Sequence, residues 1–164
     1  MIKVSEIAEK YKDYEIDEKE LEKLLVKPKA KSVWDLKDGD EYWFINEEGS
    51  PYNAIWNNDN FDNSIRNRGN CFLTKEKAEF EAERRKYEAI MLKYGTRDMM
   101  SLGNWNNAKY CIMYDHSDCV IKCDYYGVDN YQGVIWFASK EIAQQCIDEI
   151  GEDRLKKYIF NVKE

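Results

Sequence analysis

Apolar and polar positions alternate through much of the middle of the chain, and each alternating stretch gives way to a helical spacing. Tyr42, Phe44 and Asn46 alternate with Trp43 and Ile45, Glu48-Gly49-Ser50-Pro51 supplies a turn, and Tyr52, Ala54 and Trp56 take up the alternation again. Side chains on a strand point to opposite faces with a period of two, so two such runs joined by a turn predict a hairpin. Cys71, Phe72 and Leu73 read as a further short strand. Thr74 then opens a helix that the spacing carries to about Tyr94, with Gly95 as its stop. Ala78, Ala82 and Ala89 line one side of that helix. Phe80, Tyr87, Met91 and Tyr94 form a stripe on another, the pattern of a core face or of a contact between copies of the chain.

The same order of elements follows downstream. Tyr110, Ile112 and Tyr114 alternate with Cys111 and Met113, Asp115 to Asp118 turns the chain, and Cys119, Ile121, Cys123 and Tyr125 share the next strand face. Gly127 to Asn130 turns it again, and Tyr131 to Phe137 closes a three-stranded meander. Ser139 heads a helix with apolar positions at Ile142, Ala143, Cys146, Ile147 and Ile150, ended by Gly151. A last helical turn or two spans Glu152 to Tyr158, and Ile159 to Val162 returns as a strand or packs as a tail.

One stretch occurs twice. Asn70-Cys71-Phe72-Leu73-Thr74-Lys75-Glu76-Lys77-Ala78 returns 65 positions later as Ile135-Trp136-Phe137-Ala138-Ser139-Lys140-Glu141-Ile142-Ala143. In both copies an apolar run meets a hydroxyl residue that can accept from the free N–H groups of a first helical turn. Glu76 or Glu141 then sits where the helix dipole favours negative charge. The expected fold is α+β: two repeated units, each of antiparallel strands followed by a capped helix, packed across a pseudo-symmetric interface.

Ahead of them, residues 1–27 read as a helical hairpin that docks on the main body. Ser5 heads a first helix, with Ile7, Ala8 and Tyr11 at helical spacing. Asp17 and Glu20 give a capping-box pattern before Leu21, Leu24 and Leu25, and Pro28 stops the run. The second helix mixes Glu with Lys and lacks the basic face of a DNA-reading helix. The segments are thus 1–27, a first unit over 28–95 and a second over 96–164, together forming one compact domain. Trp34 and Leu36 tack the connector of residues 28–40 to the core. The stretch Asn57 to Asn70 reads as an Asn-rich, helix-poor loop in which Asp62 can pair with Arg66, without the acid spacing of a calcium loop.

Charge sharpens this picture more than composition does. Of 164 residues 43% are hydrophobic, enough for a packed core, and no apolar run approaches the ~20 residues of a membrane helix. The opening residues lack a basic-then-apolar leader, so a cytosolic protein with five free thiols is expected. Net charge is −7, and residues 35–62 carry all of it: eight acids against Lys37 alone, with 24 acids and 24 bases elsewhere. Such a balance argues against direct nucleic-acid binding.

Candidate chemistry is sparse. Cys111, His116, Cys119 and Cys123 bring zinc-type ligands into one region, but without the paired knuckles of a zinc signature, and a small thiol beside Ile121 suits a strand's core face. His116 is the only histidine and falls in a turn with no nucleophile elbow nearby, and the glycines stand singly, so no phosphate loop forms. The residues read as a non-enzyme with no metal or cofactor.

Val33-Trp34-Asp35-Leu36-Lys37-Asp38-Gly39-Asp40-Glu41-Tyr42-Trp43, the Gly69 to Ala78 stretch, Phe137 to Ala143 and Gly151 to Tyr158 together resemble small accessory proteins of phages and prophages of Gram-positive bacteria. The resemblance covers most of the chain and brings no catalytic residue. It implies a setting in a host bacterium's cytoplasm, where phage proteins of this size bind and disable defence systems, anti-CRISPR inhibitors among them. On that reading the 35–62 segment, through Glu47, Glu48, Asp59 and Asp62 with exposed Trp43, Tyr52, Trp56 and Phe61, meets a basic nucleic-acid groove on a host protein. The chain acts there as a monomer or homodimer. Two other readings stand beside it. One is a sponge for a small signalling nucleotide, its pocket lined by Tyr and Trp with Arg66 and Arg68 at the rim. The other is a phage structural or assembly component.

Overall fold

A computed structural model describes residues 4–10, 12–13, 32–103, 108–126 and 133–162. The chain divides into two units, Met1–Lys31 and Ser32–Glu164. In the first, helix α1 spans Val4–Lys10, so Ser5 lies inside its first turn rather than ahead of it. The second helix expected there, from Asp17, lies outside the described residues.

In the second unit a 3-10 turn, Val33–Asp35, is closed by a capping box: Ser32 Oγ accepts from the Trp34 N–H and Asp35 accepts from the Ser32 N–H. Strands β1 (Glu41–Ile45) and β2 (Pro51–Ile55) form the expected antiparallel hairpin. Its register sets Tyr42 opposite Ala54 and Phe44 opposite Tyr52 on one face, leaving Trp43 and Ile45 on the other.

The Asn-rich stretch corrects the loop expectation, for Asn60–Asn67 is a helix, α2. Asn is a weak helix former. Here Asp59 caps the helix by accepting from the Asp62 N–H at 2.9 Å, Ile65 and Asp62 are buried, and Asp62 bonds Tyr42 of β1, so a cap and tertiary packing override propensity. Asp62 does not pair with Arg66 as expected. It accepts from the Tyr42 hydroxyl, and Arg66 donates instead to Asn63 Oδ1.

The short strand expected at Cys71–Leu73 is reduced to a single bridge, Phe72 with Trp43, each donating to the other's carbonyl at 2.8 Å. The Asn70 side chain extends this edge by one rung. Its Oδ1 accepts from the Ile45 N–H at 3.3 Å and its Nδ2 donates to the Ile45 carbonyl at 2.8 Å. Helix α3, Lys75–Tyr94, starts at Thr74, whose hydroxyl accepts from the Lys77 N–H, and packs on both strands with Ala78 fully buried.

Strands β3 (Lys109–Asp115) and β4 (Val120–Tyr126) form a second antiparallel hairpin. The third strand of the expected meander is, among the described residues, a pair of isolated bridges, Tyr110 with Phe137 and Thr96 with Trp136. Each sheet is therefore two-stranded. Ser139 caps helix α4, Lys140–Ile150, which packs on this hairpin with Ala143 fully buried. A short helix, Glu152–Arg154, runs into a π-helical turn at Leu155–Ile159, as the helical expectation for Glu152 to Tyr158 has it, and residues 160–162 form a tail instead of a strand. Tyr158 of that turn stacks on Phe80 and Tyr87, so the α3 aromatic stripe is covered from within the chain.

The main core joins Tyr87 and Met91 of α3, Ile112 and Ile121 of the second hairpin, and Cys146 and Ile150 of α4. Cys111 packs on the opposite face of the same hairpin, with Met99 and Trp136. Gly95 ends α3 for a reason other than positive φ. A Cβ there would lie 2.6 Å from the Trp136 carbonyl oxygen and 2.8 Å from Ile135, so only a residue without a side chain permits the Thr96–Trp136 bridge.

Candidate functional site

The acidic segment folds into the first hairpin and α2, which divide its acids by role. Asp62 is 3% exposed and fully employed: Oδ1 accepts from the Tyr42 hydroxyl at 2.7 Å and Oδ2 from the Asn57 N–H at 2.7 Å. Burial, and then this bond to Asp62, push the Tyr42 phenol well above its ordinary value. Asp35, Asp40 and Asp59 each accept from a nearby backbone N–H, Asp35 and Asp59 from exposed positions and Asp40 from a half-buried one. Glu41, Glu47 and Glu48 are exposed.

The aromatics divide likewise. Tyr52 and Phe61 are 60% and 52% exposed and lie on either side of half-buried Phe44, with ring centroids 5.6 and 5.5 Å from it. Trp56, expected at the surface, is 1% exposed, and Trp43 is half-buried beside its bridge to Phe72. The physical reason is the register. Tyr42 and Trp56 meet edge to face at 5.6 Å beneath α2, and Trp43 lies on the face that α3 approaches. Of the eight residues expected to form the surface, Glu47, Glu48, Asp59, Tyr52 and Phe61 are exposed, while Asp62 and Trp56 belong to the interior.

Arg66, expected at the rim of a nucleotide pocket, is half-buried against two tryptophans. Its guanidinium lies between the rings of Trp34 and Trp56, 4.9 and 4.7 Å from their centroids, with Nε buried and without a partner. This sandwich and the Tyr42–Asp62 pair are absent from the sequence reading. Their members lie 20 positions apart for Tyr42 and Asp62 and 32 apart for Trp34 and Arg66, and no local periodicity links them. Among the described residues, clefts of about 230 and 380 Å³ lie elsewhere. Arg84, Met91 and Phe160 line the first and Ile45, Glu48 and Arg85 the second, and neither is lined by Arg66 or Arg68.

The cysteine–histidine set comes apart on the second hairpin. Cys111 pairs with Asp124 and Ile112 with Cys123, so adjacent register positions send the Cys111 and Cys123 thiols to opposite faces. Cys119 precedes β4 at a positive φ of 57°, and its thiol donates to the His116 carbonyl at 3.7 Å. Burial pushes the Cys111 thiol up to about 11. Among the described residues no three His, Cys, Asp or Glu side chains converge as metal ligands. Nor is any helix among them long and apolar enough to cross a membrane.

Comparison with family models, with curated proteins and with solved structures finds no match to this chain.

Proposed function

We propose that the chain is a non-enzymatic binding protein that inhibits a host defence protein by meeting its basic, nucleic-acid-handling surface. One observation carries the reading. All of the net charge lies in residues 35–62, and within them Glu41, Glu47, Glu48 and Asp59 stay exposed around a hairpin that also presents Tyr52 and Phe61. Charge of one sign speeds encounter with a complementary partner, and exposed aromatics supply the contact area that holds it. The resemblance to phage accessory proteins supplies the setting.

The two strand-and-helix segments are read as copies of one module. Phe72 and Phe137 each bridge to the first strand of a hairpin, Thr74 and Ser139 each cap a helix, and Ala78 and Ala143 are each fully buried, all at the same spacing of 65.

The test is phage plaquing on a CRISPR-immune Gram-positive host that expresses the chain. Wild type is expected to restore plaques, and the triple variant Glu47→Lys, Glu48→Lys, Asp59→Asn to lose that effect. Asn at position 59 keeps the helix cap while removing the charge, and Asp62 is left alone because it is buried. Restoration by the triple variant at wild-type level sinks the reading.

A further inference from the structure

We infer that the outer edge of β2 is the docking strand of this surface, and that its occupant is an extended segment of a partner, basic at both ends and apolar or β-branched between. This inference rests on the acidic-surface reading above and deepens it.

The pairing parity of the hairpin carries the argument. The Asn46 N–H donates to the Ser50 carbonyl at 2.9 Å and the Trp56 N–H to the Asp40 carbonyl at 2.8 Å. In an antiparallel ladder opposed residues alternate between exchanging both bonds and exchanging none. Tyr42–Ala54 and Phe44–Tyr52 are thus the bonded pairs, and Pro51, Asn53 and Ile55 turn their backbone groups away from β1. The other side of the hairpin obeys the same parity, since Trp43 turns outward to bond Phe72. On the β2 side Asn57 Nδ2 takes the Ile55 carbonyl at 3.1 Å. The Asn53 N–H and C=O, the Ile55 N–H and the Pro51 C=O have no partner among the described residues, and Asn53 and Ile55 are exposed. A strand laid along this edge makes four backbone bonds, two of them to Asn53.

The flanks choose the occupant. Glu47 and Glu48 stand in the turn just before β2, Glu41 is opposite Ile55, and Asp59 follows four positions after it, so both ends of the edge are acidic while Tyr52 and Ile55 lie between. A second copy of the chain, added antiparallel about Asn53, brings the Glu47–Glu48 end of one molecule to the Asp59 end of the other. Like charges then meet at both ends. A basic segment meets opposite charges instead.

The probe is a fluorescent nine-residue peptide with two lysines at each end of five alternating valines and threonines, titrated against the full chain by anisotropy. The decisive variant is Asn53→Pro. It deletes an N–H that the hairpin does not use, on an edge strand, where proline is tolerated. Asn53→Ala keeps that N–H and removes only the side chain. Wild type and Asn53→Ala are expected to bind alike, Asn53→Pro at least tenfold more weakly with an unchanged circular dichroism spectrum, and a glutamate-ended peptide not at all. Peptide bound to wild type is also expected to slow amide exchange at Asn53 and Ile55, a readout that needs no variant.

Equal affinity for wild type and Asn53→Pro, no exchange protection, or no binding of the basic peptide overturns strand addition. The acidic-surface reading outlives equal affinity if the Glu47→Lys, Glu48→Lys, Asp59→Asn variant loses the peptide, and falls with strand addition if that variant retains it. A wild-type dimer that Asn53→Pro converts to monomer names a second copy as the occupant and also overturns the inference.

Discussion

A carboxylate with almost no exposed surface is tolerated at Asp62 because both of its oxygens are occupied, one by a phenol from a neighbouring strand and one by a backbone N–H. Removing one donor leaves a charged acceptor short of a bond in the interior, so Tyr42→Phe is expected to cost about 1–3 kcal/mol in urea unfolding. The same pair sets a pH dependence. Tyr42 is held neutral above its ordinary value of 10.0, so its contribution is complete below that pH. It is lost as pH rises further, because the unfolded chain releases the proton first. Tyr42→Phe is expected to flatten that alkaline loss, and a pH series of urea midpoints reads it. Nothing adjacent to Asp62 in sequence announces this role. As one acid in an acidic run it is legible only as charge, and its partner lies 20 positions upstream.

At the scale of elements, what is written locally is what could be read locally. Thr74 and Ser139 cap helices because their hydroxyls meet backbone N–H groups three residues on, and alternation about a short turn is enough to specify the first hairpin. Helix α2 was not legible, since its Asn-rich sequence argues for turns and its helical state goes with the burial of Ile65 and Asp62, the latter bonded to a strand residue 20 positions away. Gly95 was legible as a stop but not in its cause. A methyl group there meets a backbone oxygen that is itself fixed by the Thr96–Trp136 bridge, so Gly95→Ala is expected to destabilise by about 1–3 kcal/mol, as overpacking does. Thermal melting checks it, and a variant as stable as wild type would show that the bridge can shift.

Across the whole molecule the five thiols report on the packing. Burial holds Cys71, Cys111 and Cys146 up at about 11, whereas Cys119 is exposed at its turn. A thiol-reactive chromophore at pH 8 is expected to label Cys119 fast and these three only on unfolding. Rapid labelling of three or more sites would contradict this packing. The concentration of charge in residues 35–62 was legible from counting alone. Which acids face solvent was not, because capping and burial are decided by neighbours that counting does not see.

On the far side of the same hairpin, the Phe72 bridge and the Asn70 carboxamide already occupy the outward groups of Trp43 and Ile45. Along Trp43 and Ile45 the sheet is therefore closed from within the chain. Its pairing capacity is left on the β2 margin, so a strand that approaches the hairpin meets one receptive side and, along Trp43 and Ile45, one already filled.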